Sequence, residues 1–511
     1  MELKKIALIA AAAMTVTSFA GCGNNKTTGD SENITLNWVM PGPGMQKDSE
    51  EVFKKLSEKL KTYEGFENVD VNITVYPASD YQKKFLLLQT SNADMDMVQT
   101  YSLKTTEEIR NGSFIPLDDY IKSSDQLDGA FPDWLWDYAK VDGKTWFVPN
   151  YQLLANVDYS FATQKSLADK YWDVEKAQAK FCAADTFDES CWDVLEDYLE
   201  TLYKNGEIRK GWKPLDSLTF TLQKGYESVG NRFLVKSDDP EHKLIYMDEM
   251  PERIHGFHRI SDFFKKGYIR KDIASLGDSD SDYGNENGYI LWHLSTRMNE
   301  ELTKVEVDNF VKKYGFDVAV AQTKDYDFIP AYNAAGGNAI SIASKNPDKA
   351  WEFLALMNSE KGKELYNMAV YGIEGKHYNV VDDSTVDPIG YVGQASSSAN
   401  YGLWKWVVGN TKFAYNLPDE TMTPELLDEV NNGEKSVRSS MTGLVLDTSS
   451  LTTEIAQINT VFEEYKGLNL GIYDDVDKTY KEYMNKAKTA GLEKVRAELQ
   501  KQVDEFFKNK K

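Results

Sequence analysis

The chain has 511 residues, room for roughly three average domains or two large lobes, and 41% of them are apolar, so a substantial core is expected. A formal net charge of −23 argues against nucleic acid and anionic lipid headgroups as partners and favours solubility.

At the N-terminus, Lys4 and Lys5 precede an apolar, Ala-rich run from Ile6 to Ala20. That run is too short to span a bilayer as a stable helix and reads as a secretory signal over residues 1–21. Its end, Phe19-Ala20-Gly21-Cys22, resembles the lipobox of bacterial lipoproteins, with Phe19 where Leu is usual. The resemblance implies cleavage before Cys22 and lipidation of that residue. Residues 22–33 are polar and aperiodic, as in a flexible tether. Loss of residues 1–21, which carry Glu2, Lys4 and Lys5, moves the net charge to −24. No later stretch has the uncharged apolar length to cross a membrane.

The alternation in Ile34–Met40 predicts a strand with Ile34, Leu36, Trp38 and Met40 on one side. Val52, Phe53, Leu56, Leu60 and Tyr63 then share a helical face, with Asp48 placed to cap it and Gly65 to end it. Val71, Ile73 and Val75 alternate again. Strand, helix, strand at these lengths predicts a βαβ unit and a parallel sheet. A helix at Tyr81–Thr90 and a strand near Met97–Tyr101 continue the α/β pattern. Residues 142–149 read as a turn feeding a short strand. Gly143-Lys144-Thr145 lacks the Gly that a phosphate loop needs five residues earlier, where Tyr138 stands. The stretch from Ser166 to about Gly267 is expected to be mostly helical, with a strand at Val318–Ala321 beyond it. Asn346 and Pro347 open a helix carrying Trp351, and the last third is helical, with Gly491 separating the final two helices.

Chemical motifs are scarce: no HExxH, GxSxG, GxGxxG after a strand, or paired CxxC occurs. His255 and His258, three apart, have no further Cys or His nearby and read as surface residues rather than a zinc site. The acidic stretch 278–288 places Tyr283 and Tyr289 where a calcium loop needs Gly and Glu, so it reads as a solvated loop. No metal or cofactor is expected. Cys182 and Cys191 lie close enough for a local disulfide in an oxidising exterior, with two reduced structural thiols the equal alternative. What stands out is aromatics beside glycines and amides, at 329–341, 371–379 and 400–410. Aromatic faces stack on sugar C–H surfaces while amides and carboxylates meet hydroxyls. Trp404 and Trp406 are expected to share one face of an extended segment.

The segment AVAQTKDYDFIPAYNAAGGNAISIASKNPDKAWEFLALMNSEKGKELYN resembles the strand, hinge and Pro-acidic-Lys-Ala-Trp helix of bacterial extracellular solute-binding proteins of the maltodextrin-binding type. The segment YGIEGKHY and the tail LVLDTSSLTTEIAQINTVFEEYKGLNLG, continuing to AGLEKVRAELQKQVDEFF, are similar to a larger lipoprotein branch whose helical C-terminal region has no characterised role. The resemblance implies a two-lobe, type II periplasmic-binding-protein-like α/β fold that clamps a solute, closes about its hinge and presents the solute to the permease subunits of an ABC importer. It places hinge crossings near 147–151, 322–330 and 369–376. One lobe then holds 34–148 plus 330–369, the other 152–321 plus 376–511. A monomer is expected, touching the membrane only through its lipid. By the same resemblance the candidate ligand contacts are Trp38, Met40, Gln46, Asn150, Tyr151, Trp292, Tyr332, Asn333, Asn338, Tyr371, Glu374, Trp404 and Trp406, with Arg297 the partner for a sugar carboxylate. An oligosaccharide, neutral or acidic, is the expected cargo. A peptide or amino-acid ligand is the alternative within binding, and a surface glycoside hydrolase with two cleft carboxylates is the alternative outside it.

Overall fold

The computed structural model describes residues 33–184, 189–208, 213–215, 224–275, 289–331, 336–389, 400–418 and 420–510. The strand Ile34–Gly42 pairs in parallel with Val69–Pro77 through nine residues and, on its other side, with Met97–Gln99. The helix Ser49–Leu60 connects the first two, completing the expected βαβ unit. Asp48 sits at its N-cap position but makes no capping bond; its carboxylate instead meets His377 Nε2 at 3.2 Å and Lys376 Nζ at 3.3 Å. The strands Gly337–Ile340 and Phe147–Pro149 extend this sheet antiparallel to their neighbours, giving five strands.

A second sheet lines up Val318–Ala321, Val157–Gln164, Tyr289–Thr296 and Lys213–Leu215. Between its strands the chain makes an antiparallel three-stranded sheet, Tyr226–Gly230, Phe233–Lys236 and Leu244–Tyr246, within the region expected to be mostly helical. These strands are short, and Phe233, Leu234 and Val235 are buried in succession, so the middle strand shows no alternation in the sequence. The helices Thr452–Glu464, Val476–Thr489 and Leu492–Lys510 pack onto this smaller sheet through Ile458, Tyr483, Leu492, Val495, Leu499 and Val503. Gly491 separates the last two, with φ +105°.

Two lobes result, and the chain crosses between them at 150–156, 322–331 and 433–439. The third crossing is not at 369–376. Tyr371, Tyr378, Val386, Tyr401, Val407, Leu427 and Val430 all join the core of the first lobe, which therefore keeps residues up to about 432. The crossing strands Asp327–Ile329 and Ser436–Arg438 pair in parallel, and Asn156 bridges to Phe328. The Asn431 side chain accepts from the backbone N–H of Leu154 and Ala155 at 2.9 and 3.0 Å, tying the first crossing to the third.

No disulfide joins Cys182 to Cys191 in the structure; Cys182 Sγ points at the Gln322 carbonyl, 3.6 Å away. Cys22 lies outside the described residues.

The C-terminal helices are locked to the second lobe by a buried charge cluster. Asp248 is fully buried and receives Arg232 at 2.7 Å, Arg253 at 3.0 Å and the Tyr483 hydroxyl at 2.6 Å. Burial by itself raises the Asp248 carboxyl, but the two guanidinium groups outweigh it and hold the group below the usual carboxylate range. Its stabilising contribution is therefore complete above the unfolded-state value of about 3.9 and is lost as pH falls through the lower folded value. Asp248→Asn leaves two buried cations short of a countercharge and is expected to lower stability by about 3–5 kcal/mol at pH 7. Urea titration at pH 7 and between pH 2 and 4 checks both points: the gap between wild type and variant should shrink with acid.

Candidate functional site

The strand Met97–Gln99 ends at the cleft, and the two residues that follow are held tightly. Thr100 N–H donates to the Gly337 carbonyl at 2.8 Å, and its hydroxyl accepts from Gly337 N–H at 3.0 Å. A Cβ on Gly336 would stand 2.7 Å from Thr100 Oγ1, and Gly336 has φ +61°, so the close approach needs glycine there. Tyr101 N–H donates to the Gln99 side-chain oxygen. The half-buried Tyr101 ring is thereby fixed at the strand end, edge-on to Trp404 at 6.3 Å and to Trp406 at 4.7 Å.

Trp404 and Trp406 stack on each other, centroids 5.3 Å apart and planes 9° from parallel. Both are partly exposed. They sit at the start of a single helical turn, Lys405–Val408, rather than on an extended segment. A buried side-chain network holds that turn in place. Asn150 donates from Nδ2 to the carbonyls of Trp406 and Val407 at 2.8 and 2.9 Å. Asn338 donates to Asn150 Oδ1 and to the Val408 carbonyl, each at 3.2 Å, and accepts from the Trp38 indole N–H at 2.9 Å. Asn150, Asn338 and Trp38 are all fully buried. Every bond in the chain is satisfied from within, so the platform is rigid before anything binds.

Tyr101 also lines a cavity of about 720 Å³ between the lobes, within the roughly 300–1,000 Å³ usual for small-molecule sites. From the first lobe it is walled by Leu103, Tyr138 and Phe147, and from the second by Val229, Leu444 and Leu446. Tyr138 is pushed up to about 12 by burial and donates to the Pro330 carbonyl at 2.6 Å, so it serves as a fixed neutral phenol. Thr100, Thr105, Ser228 and Asn231 add hydroxyl and amide groups at the rim. The arrangement can stack sugar faces and hydrogen-bond their hydroxyls. Among the described residues no group of three or more His, Cys, Asp or Glu is placed to hold a metal ion.

Several predicted contacts lie elsewhere. Trp38 and Met40 are in the core, Trp38 edge-on to Phe353 at 5.8 Å. The alternation that makes Ile34–Gly42 a strand turns both inward. Tyr151 is fully buried and donates to Asp428 at 3.0 Å, and Tyr371 is buried with its hydroxyl on the Tyr415 carbonyl at 2.6 Å. Trp292 packs between Phe310 and Phe316 inside the second lobe. Gln46 is buried and accepts from Gly402 N–H at 2.9 Å, which braces the loop ahead of Trp404. Asn150 and Asn338 are fully buried and support the platform. Arg297 is half-buried near the second crossing, its guanidinium donating to Ser295 Oγ and the Thr296 carbonyl. Glu374 is exposed on a turn. Tyr332 and Asn333 lie outside the described residues, as does the acidic stretch 278–288. Of the set, Trp404 and Trp406 are brought together, against Tyr101.

Tyr101, Tyr138 and the residues around Leu444 are absent from the sequence-based set. Tyr101 was within reach of sequence: it follows a parallel strand at its carboxyl end, where open α/β sheets bind ligands. Leu444 carries no such signal.

A family model described as a domain of unknown function, DUF3502, matches residues 440–508. A carbohydrate ABC transporter substrate-binding protein of Streptococcus pneumoniae is 26% identical over 99% of both chains. The crystal structure of the N-glycan transport solute-binding protein from the same species superposes with a TM-score of 0.71 at 21% identity, covering 94% of this chain and all of that one. Its complex with Man1GlcNAc gives 0.61 at 21% identity, with 93% and 99% covered. The fold is that of the two-lobed, type II solute-binding proteins over nearly the whole chain, as the sequence resemblance implies. The relatives just named are matched over nearly their full lengths.

Replacing Asn338 with Ala removes the acceptor of the buried Trp38 indole N–H and the donor to Asn150 Oδ1. The expected cost is about 1–3 kcal/mol of stability. The Trp404–Trp406 stack should also loosen, read as a change in near-ultraviolet circular dichroism that a distant core substitution such as Val495→Ala does not produce.

Proposed function

We propose that the protein is a lipid-anchored extracellular receptor that captures a neutral oligosaccharide between its lobes and delivers it intact to the permease subunits of an ABC importer. The observation that carries this reading is the rigid aromatic platform of Tyr101, Trp404 and Trp406 at the edge of an interlobe cavity. Preorganised aromatic faces with hydroxyl and amide groups beside them suit pyranose rings, whose C–H patches stack while their hydroxyls bond. The relative of similar length is named for carbohydrate transport, and the N-glycan transport protein has been crystallised with Man1GlcNAc and Man5GlcNAc.

A neutral ligand suits the charges around the site. Lys140 is paired with Asp137 at 2.8 Å, Arg110 with Asp142 at 3.3 Å and Lys405 with Glu420 at 2.7 Å. A uronate would compete with these carboxylates and approach against the field of a chain at −23. Anchoring rests on Cys22 and the signal that precedes it. No helix among the described residues is long and apolar enough to cross a membrane.

Calorimetric titration of residues 34–511 with neutral and uronic-acid-bearing oligosaccharides tests the proposal. Saturable one-to-one binding of a neutral chain, recovered uncut by chromatography, is the expected result; shortened products would make the protein an enzyme. Trp406→Ala should weaken binding at least about tenfold while leaving the fold intact. In cells, Cys22→Ala should abolish incorporation of labelled palmitate and release the protein from the membrane fraction.

A further inference from the structure

The domain of unknown function at 440–508 has a feature that its helices alone do not explain. Between the third crossing and the helix Thr452–Glu464, residues 441–448 run as a strap along the boundary of the two lobes. Val445 packs on the first-lobe cluster containing Ala139, Val141 and Phe147. Its neighbours Leu444 and Leu446 pack on the second-lobe cluster of the C-terminal helices. All three side chains are partly exposed, and all three line the cavity that Tyr101 borders.

The strap is held at both ends. The buried Glu227 carboxylate accepts from the Ser439 hydroxyl and from Ser440 N–H and Oγ, the latter two at 3.2 and 2.9 Å. From the final helix, Gln502 brackets Asp447, accepting from its N–H at 2.6 Å and donating to its carbonyl at 2.9 Å. Lys510 donates to the carbonyls of Ser440 and Thr442 at 2.8 and 3.2 Å. Gly443, at φ +86°, makes the bend that lets the strap pass the Asp137 carbonyl, a conformation most residues resist.

We infer that the DUF3502 segment supplies a third wall of the ligand site: Leu444, Val445 and Leu446 form an apolar surface that contacts sugar residues beyond those stacked on Trp404 and Trp406, and the helix Leu492–Lys510 exists to hold that surface in register. The strap thereby sets a preference for longer chains. The inference rests on the oligosaccharide reading and adds to it a role for the C-terminal helices.

The test compares affinities of residues 34–511 for neutral disaccharides and hexasaccharides of mannose with N-acetylglucosamine, of glucose and of fructose, by calorimetry. Leu444→Ala with Leu446→Ala should lose at least about tenfold for the hexasaccharide that binds wild type and less than about twofold for the matching disaccharide. Gln502→Ala with Lys510→Ala, which leaves every cavity side chain in place, should show the same length-dependent loss with an unfolding midpoint within a few degrees of wild type. Trp406→Ala should weaken both lengths. Backbone amides of 444–448 should gain hydrogen-exchange protection with the hexasaccharide and not with the disaccharide. Equal losses at both lengths, or none, would overturn the role of the strap while leaving the oligosaccharide reading standing. A wild-type chain that binds no member of the panel would remove both.

Discussion

The site depends on a run of buried amides that links three segments far apart in sequence. The Asn338 carboxamide, on a strand in the first sheet, reads Trp38 on one side and Asn150 and the Val408 carbonyl on the other. Carbonyls at the end of a short helix otherwise need water or a cap, and a single turn such as Lys405–Val408 has little cooperativity of its own. Here the carbonyls of Trp406, Val407 and Val408 are taken by side chains anchored in a sheet. The two indoles thus inherit the stiffness of the lobe's core. Further amides continue the arrangement: Asn358 Oδ1 accepts from Asn410 N–H at 2.8 Å, and Asn410 Nδ2 reaches the Ala130 carbonyl at 2.7 Å.

Rigidity of this kind bears on recognition because stacking is weakly directional. An aromatic face free to rotate loses much of its contact to the entropy of being ordered, whereas a fixed pair offers a surface at little further cost. Tyr101 adds a third ring whose position is set by Gly336, which lets the backbone approach Thr100. The platform and the first-lobe wall of the cavity are therefore built against one sheet. The opposite wall comes from another part of the chain, which the helical tail must position separately.

Much of the fold was legible in the sequence, and the reasons are local. The strand–helix–strand start is written in periods of two and of about three and a half, and Asn346-Pro347 marks a helix start without tertiary help. The three-stranded sheet at 226–246 was not legible, because each strand is short and the middle one, buried in succession at Phe233, Leu234 and Val235, shows no alternation. The third crossing was misplaced because YGIEGKHY looks like a hinge, with glycines and charges. Its aromatics are nevertheless sealed in the first lobe, and His377 is buried against Asp48. For the site, Trp38 and Met40 show the limit plainly. Their alternation with Ile34 and Leu36 placed them on the buried face, yet their nearness to a cleft loop suggested contact. Asn150 and Asn338 sit where expected, but their partners lie up to 300 residues away in sequence, so no spacing rule reveals that they are braces.

The three crossings also bear on how the lobes can move. Asp327–Ile329 and Ser436–Arg438 lie side by side in a parallel ladder, Asn156 bridges to Phe328, and Asn431 grips the first crossing at two backbone amides. They therefore form one laced ribbon and not three separate tethers. A ribbon bends readily across its thin direction and resists sliding within its plane, since sliding would break the ladder register. Bending of that kind would swing the lobes about a line lying in the ribbon and across its strands.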